Sequence, residues 1–402
     1  MNLANFIFYI LLFVGFFLPT NSNMYIPLPG LLLKVNELAF LLLPIVNLFC
    51  TSKNIRYKLD RKVFKYIILY LFIVFITEFL FKPIVFIQSF GDSFKAFRLG
   101  LPLYSSLLLL LLGIKADIRI VWKVLLYAIG CSVILSLLSL YISLPIYYNM
   151  EDEDILAVFQ GRIMNSNAAF GIIGLYLLFT DKNKWYNRGR LVKYVSILSI
   201  IALLLTFNRT YLALLVLEFI YLSYKTFSLR TFYKILLYPL LFMGITFFAY
   251  NNFDAVQRQI DKRILSIVYS ETTIAESTIE DNRDFIYEGI ENRFKEGYWI
   301  IGLPYDVPIF EGYSVRRGDY KASKTDVSFV NIILRYGALP FVFFIFLLLR
   351  LNKMKYVPFI ILIVYVLASL NLDALFNHNS IFFLIILSFI YSMNIKNLKK
   401  VQ

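Results

Sequence analysis

Twelve long apolar runs, separated by short polar or basic segments, limit what this chain can fold into. They lie near residues 3–20, 29–50, 63–81, 97–114, 120–144, 163–180, 191–207, 209–224, 232–250, 327–349, 356–371 and 376–393. About twenty apolar residues in a helix cross the hydrocarbon core of a bilayer. A water-soluble interior could not hold this many. Charged residues are only 16% of the 402 and hydrophobic residues 59%, where soluble domains carry roughly a quarter charged. The expectation is an all-α polytopic membrane protein of about 12 transmembrane helices, each run near the length that a span requires. The first run lacks a basic leader and a small-residue cleavage site, so it reads as a retained helix.

Loop charge sets the expected orientation, because lysine and arginine accumulate on the cytoplasmic side. Basic residues follow the second run (Lys53, Arg56, Lys58, Arg61, Lys62), the fourth (Lys115, Arg119) and the sixth (Lys182, Lys184, Arg188, Arg190). They also follow the eighth (Lys225, Arg230), the tenth (Arg350, Lys353, Lys355) and the last (Lys396, Lys399, Lys400). Both termini are therefore expected in the cytoplasm. The same rule accounts for the net charge of +14 without a nucleic-acid partner. Cys50 and Cys131 fall in or beside apolar runs and form neither a metal motif nor a disulfide framework. No glycine-rich nucleotide-binding motif is present.

The acidic run Glu151–Asp154 and the long polar stretch 251–326 then fall on the outer side. The stretch divides the chain into 1–250, with nine spans, a large outer loop at 251–326, and 327–402, with three more. It holds Arg283, Tyr298, Trp299, Tyr305, Tyr313, Arg316, Arg317, Lys321 and Lys324. Long loops cross the membrane largely regardless of charge, so these cations do not overturn the orientation. They are either a solvated surface or an anion-attracting one.

Three patches together resemble the O-antigen polymerase and ligase superfamily of bacterial envelope enzymes, whose larger part is the Wzy-type polymerases. The first is Gly161-Arg162-Ile163-Met164-Asn165-Ser166-Asn167-Ala168-Ala169, similar to an asparagine-rich start of a span. The second is Thr206-Phe207-Asn208-Arg209-Thr210-Tyr211, similar to an arginine turn between two spans. The third has Arg283 before an aromatic-rich helix and Gly302, and then Asp326 through Gly337. Ligases of the superfamily carry H-N-x-x-L-x-x-L-x-E-x-G. Counting back from Gly337, Asp326 stands at the histidine and Arg335 at the glutamate, and Pro304 replaces the second glycine of a G-x-G. The one histidine, His378, lies at the start of the last run. The resemblance thus leans toward polymerase.

It implies a GT-C-like membrane glycosyltransferase, independent of metal and cofactor, in the cytoplasmic (inner) membrane. Its substrate would be an oligosaccharide on undecaprenyl pyrophosphate, with a chain-length regulator and a flippase as partner proteins. Transfer of the sugar releases a lipid pyrophosphate, and arginines suit the negative charge that grows there. Arg209, Arg283 and Asp326 are the expected catalytic residues. Arg162, Asn167, Arg316, Arg317, Arg335, Trp299 and Tyr305 are the expected substrate contacts. Each has a plainer alternative. Arg209 can order a tight turn, Arg283 can be a surface arginine, and Arg162 can pair with Glu151–Asp154. Asp326 is either a general base or the cap of the tenth span. Arg335 lies within a span and needs a partner, for which Glu218, Glu78, Glu37 and Lys34 are candidates. The loop aromatics suit stacking on sugar faces. The competing functions are ligation to lipid A core and a 12-span flippase or transporter.

Overall fold

The computed structural model describes residues 2–18, 24–28, 31–51, 59–98, 100–139, 166–179, 189–206, 208–225, 250–261, 284–314, 318–322, 328–353 and 358–371, with scattered positions between 233 and 248. The described chain is mostly helical. It opens with α1 (Leu3–Phe17), a hairpin β1 (Tyr25–Leu28) and β2 (Leu31–Lys34), and α2 (Val35–Phe49). The long α3 runs over Arg61–Phe86 and is followed by α4 (Phe90–Arg98), α5 (Leu101–Leu112) and α6 (Ile118–Leu138). A 3₁₀ turn at Ser166–Ala169 leads into α7 (Phe170–Phe179), then come α8 (Arg190–Leu204), α9 (Arg209–Lys225) and α10 (Asp254–Ile260). Next come α11 (Asp284–Lys295), α12 (Tyr298–Ile301) and a hairpin of β3 (Phe310–Ser314) and β4 (Gly318–Ala322). The last described helices are α13 (Ser328–Tyr336), α14 (Ala338–Lys353) and α15 (Phe359–Asn371).

Among the described residues, two helices are long and apolar enough to cross a membrane, Arg61–Phe86 and Ile118–Leu138. The pair α4 and α5, bent by 73°, makes a third if it is one span. Leu3–Phe17, Val35–Phe49, Asn167–Phe179 and Phe359–Ala368 are apolar but shorter. The expected runs at 232–250 and 376–393 lie largely or wholly outside the described residues.

Three boundaries differ from the sequence expectation. The run expected over 29–50 begins in the antiparallel hairpin, with Tyr25 paired to Lys34 and Leu28 to Leu31. Leu31-Leu32-Leu33 is apolar but sits beyond Pro29-Gly30, a turn pair, so apolarity alone misassigned it to the helix. The run expected over 97–114 starts at Leu101, because the polar helix α4 turns away first. The run expected over 327–349 is broken at Gly337, whose φ of +92° ends α13 before α14 begins.

The apolar helices share one core. Phe8, Leu12 and Phe16 of α1 pack with Phe40 and Leu43 of α2, and α6, α7 and α8 extend the same cluster. α7 and α8 meet through small residues, Gly171 against the Ser199 backbone and Gly174 against Ser196. Such residues let helix backbones approach closely where no hydrophobic force between helices is available. α3 packs along α14.

Polar contacts gather at the two ends of this bundle. At one end Asn5 Nδ2 donates to the Thr51 carbonyl at 2.9 Å, and Asn47 Nδ2 to the Gly113 carbonyl at 2.7 Å. Arg350 meets Asp60 at the same end. The segments after the second, fourth and tenth apolar runs therefore share one end with the N-terminal residues. The other end carries the exit of α3, the break at Gly337 and the segment Gly302–Tyr305.

Candidate functional site

Among the described residues, the densest cluster of buried charge lies at that second end. It starts in α3, where a π turn spans Thr77–Phe81 and the Lys82 N–H bonds back to the Thr77 carbonyl. Single π turns inside α-helices shift side-chain direction and recur at functional sites. Glu78 and Lys82, both fully buried, form an ion pair here. An isolated charge buried this way would cost several kcal/mol, roughly, so the two are held by each other and by a third group.

That group is Arg335. The Lys82 ammonium also donates to the Arg335 main-chain carbonyl at 2.6 Å and stands 5.9 Å from the Tyr336 ring centroid. The Arg335 side chain is 3% exposed, and its Nη1 donates to the Pro304 carbonyl at 2.9 Å. Glu78, Tyr336, Tyr305 and Asp306 all lie within electrostatic range of its guanidinium. Of the four partners the sequence left open, Glu78 is the one beside it. The aromatic floor is Tyr336, Tyr104 and Tyr70 in the core, with Tyr336 T-shaped to Tyr104 and Tyr104 tilted against Tyr70.

The segment Gly302–Tyr305 closes over this cluster residue by residue. Leu303 N–H donates to the Leu334 carbonyl at 2.6 Å, and Tyr305 N–H donates to Gln88 Oε1 at 2.8 Å. With the Pro304 carbonyl, three consecutive residues thus make one bond each to the bundle. Two glycines permit the contact. A Cβ on Gly302 would strike the backbone at Arg335–Tyr336, and one on Gly337 the backbone at Ile300–Ile301. Both also hold positive φ, +98° and +92°, which L side chains avoid. Gln88 reaches its partner because the preceding Ile87 takes the left-handed conformation, φ 54° and ψ 33°.

The expected site residues divide as follows. Arg335, Tyr305 and the backbone of the Gly302 turn come together. Tyr305 also lies under Lys95, 5.7 Å from ammonium to ring centroid. Trp299 sits nearby on α12, 41% exposed, while its neighbour Tyr298 packs on Phe86 at 6.0 Å. Asn167 is elsewhere, buried among α1, α6 and α7. Its side-chain amide donates to the Phe16 carbonyl and, at 2.9 Å, to Ser132 Oγ, so it fastens helices together. Arg209 is the first residue of α9, in a turn ordered by Asn208 Oδ1, which accepts from Thr210 N–H at 3.0 Å and Tyr211 N–H at 3.3 Å. Its side chain, and all of Arg162, Arg283, Arg316, Arg317 and Asp326, lie outside the described residues.

Lys82 and Gln88 were missed by the sequence reading. The available signal was Glu78 and Lys82 at a spacing of one helical turn near the end of an apolar run, where an i, i+4 pair lies on one face. Among the described residues, no three His, Cys, Asp or Glu side chains come together in a way that could hold a metal ion. No family model matches the chain, and no curated protein matches it.

Proposed function

We propose that the chain is a Wzy-type polymerase that joins lipid-linked oligosaccharide repeat units at the outer face of the cytoplasmic membrane. The growing glycan would move from undecaprenyl pyrophosphate onto the incoming lipid-linked unit. The observation that carries most weight is the docking of an outer-stretch segment onto a buried cation cluster in the membrane bundle. Arginine and lysine near a membrane end suit a lipid pyrophosphate, because preorganised donors stabilise the charge that grows on the leaving group. The exposed Trp299 suits a saccharide face. Arg209 and Arg283, from the motif resemblance, complete the set of cations, and Asp326 is the candidate base. Both termini would be cytoplasmic. A chain-length regulator and a flippase would act alongside.

The test is the phenotype of cells lacking the protein. Under this reading they still build the single repeat unit on its lipid and still move it outward, but make no polymer. If the cells have an outer membrane and a ligase, that single unit is found on lipid A core. Full-length polymer stranded on undecaprenyl pyrophosphate would instead indicate a ligase. Single units trapped on the cytoplasmic leaflet would indicate a flippase.

A further inference from the structure

α13 ends at Gly337, so its last carbonyls have no helical donor of their own. Two of them are claimed from outside the helix. The Leu334 carbonyl accepts from Leu303 N–H of the outer stretch, and the Arg335 carbonyl accepts from Lys82 of α3. A cation at a helix C-terminus also matches the partial negative charge there. Lys82 is kept in place by Glu78, and neither has any solvent exposure. The same Arg335 then holds the Pro304 carbonyl, and Gln88 holds Tyr305 N–H. The Glu78–Lys82 pair, the break in the tenth run and the outer segment are thus one connected unit, with the Arg335 guanidinium underneath it.

We propose that Lys82 and Glu78 are positioning residues that latch the segment Gly302–Tyr305 as a cover over Arg335, and that an anionic phosphate group reaches Arg335 only when this cover lifts. The latch stands on the hydrogen bonds alone. The access step rests on reading Arg335 as a phosphate contact. With the cover down, Arg335 is 3% exposed and Leu303, within the cover itself, is fully buried. Gly297 and Gly302, both at positive φ, flank α12 and supply the points about which the segment can turn.

The test uses the purified full-length chain in detergent, with Cys50→Ser, Cys131→Ser and Leu303→Cys, and a polar maleimide as probe. The thiol at 303 is expected to label slowly. Lys82→Met should speed labelling at least tenfold, and Glu78→Gln, which keeps its shape, about threefold. Unchanged labelling in both overturns the latch. Where Lys82→Met does not accumulate, unchanged labelling in Glu78→Gln alone does so. For access, inorganic pyrophosphate is added against sodium chloride of equal ionic strength. Pyrophosphate should speed labelling of the otherwise unmodified Leu303→Cys chain at least twofold, and equal rates overturn the access step. Neither readout needs polymer. A chain that labels as expected but makes no polymer in cells keeps the latch and loses the polymerase reading.

Discussion

Arg350 grips Asp60 with both arms of its guanidinium, Nε to Oδ1 and Nη2 to Oδ2, each at 3.0 Å. The pair ties the start of α3 to the far end of α14, two helices that pack along each other. Asp60 has a second task, since its Oδ1 also accepts from the Lys62 and Val63 N–H groups and caps α3. Only 20% of the Arg350 side chain and 17% of Asp60 are exposed, so solvent screens the pair weakly.

Arg350→Ala should therefore lower stability by about 1–3 kcal/mol, the range for hydrogen bonds to charged groups. Arg350→Lys should recover only part, because an ammonium cannot reproduce the two-point contact. Thermal melting in detergent measures both. The Arg350 hydrogen bonds, and then the Val63 and Lys62 N–H groups, hold the Asp60 carboxyl below its ordinary value of 3.8. A depressed carboxyl stabilises the fold above its unfolded pKa, and the contribution fades as pH falls through the lower folded value. The gap between wild type and Arg350→Ala should be constant above about pH 5 and shrink below about pH 4. A gap that grows in acid would show that Asp60 is not the partner that matters.

Gly302 and Gly337 should tolerate no side chain. Each holds positive φ and each faces the other's backbone neighbourhood, so alanine meets both strain and a clash with main-chain atoms. Left-handed strain alone costs about 1–3 kcal/mol. Gly302→Ala and Gly337→Ala should each cost more than that, read as loss of folded protein from the membrane. By contrast Gly297→Ala has positive φ but open space around it, and should cost only the strain. Equal behaviour of all three would remove the close-approach argument.

Apolar run length made the helical character and most helix positions legible, because a membrane solvent leaves periodicity and length as the dominant signal. It failed where other forces act on apolar residues. Leu31–Leu33 are as apolar as a span but pair in a hairpin, and Gly337 breaks a run whose side chains on both sides look continuous. The site was legible only in pieces. Arg335 was visible as a costly in-span cation, but its partners lie far off in sequence, in α3 and at Pro304. Lys82 carries a main-chain contact that no motif encodes. Asn167 is expected, from its motif, to contact substrate, and in the structure its buried amide bonds the Phe16 carbonyl and Ser132 Oγ.

Ile87 is a β-branched residue in the left-handed region, 91% exposed, and it makes the turn that aims Gln88 inward. Glycine adopts that conformation without the Cβ penalty of roughly 1–2 kcal/mol. Ile87→Gly should therefore be neutral or stabilising by up to about 1 kcal/mol, after allowing for the freedom glycine adds to the unfolded chain. Ile87→Val, equally strained, should change little. A clear loss of stability in Ile87→Gly would mean that the exposed side chain itself makes a needed contact, for instance with lipid.

Orientation is open to a direct test. Asn5 with Thr51, Asn47 with Gly113 and Asp60 with Arg350 gather the segments after the second, fourth and tenth runs at one end. Strict alternation requires the segment after the sixth run to be there too. Reporter tags at Tyr186 and at the C-terminus should read cytoplasmic, and one at Ser270 should read outside. A cytoplasmic signal from Ser270 would remove the outer-face site altogether.

The arginines should separate into two classes. Arg335 is buried and bonded to Pro304, so Arg335→Ala leaves a cavity and strips the Pro304 carbonyl of its donor, while Glu78 keeps Lys82 as its partner. An unsatisfied buried acceptor costs about 1–3 kcal/mol and the cavity adds to it, so this variant should accumulate poorly whatever the function. Arg209→Ala and Arg283→Ala should instead leave normal amounts of protein and no polymer, because the proposed role of these two is toward substrate. Lysine at either position should rescue poorly, since it keeps the charge and loses the planar fork that matches phosphate oxygens. Asp326→Asn belongs in the same series. It retains an oxygen that can cap a helix but cannot take a proton, so polymer should be lost while the protein persists. Immunoblots of membranes beside polysaccharide ladders decide all four. Normal ladders in both Arg209→Ala and Arg283→Ala would confine these arginines to shaping the turn and the loop. A normal ladder in Asp326→Asn would make that residue a cap and leave the base to be found elsewhere in the outer stretch.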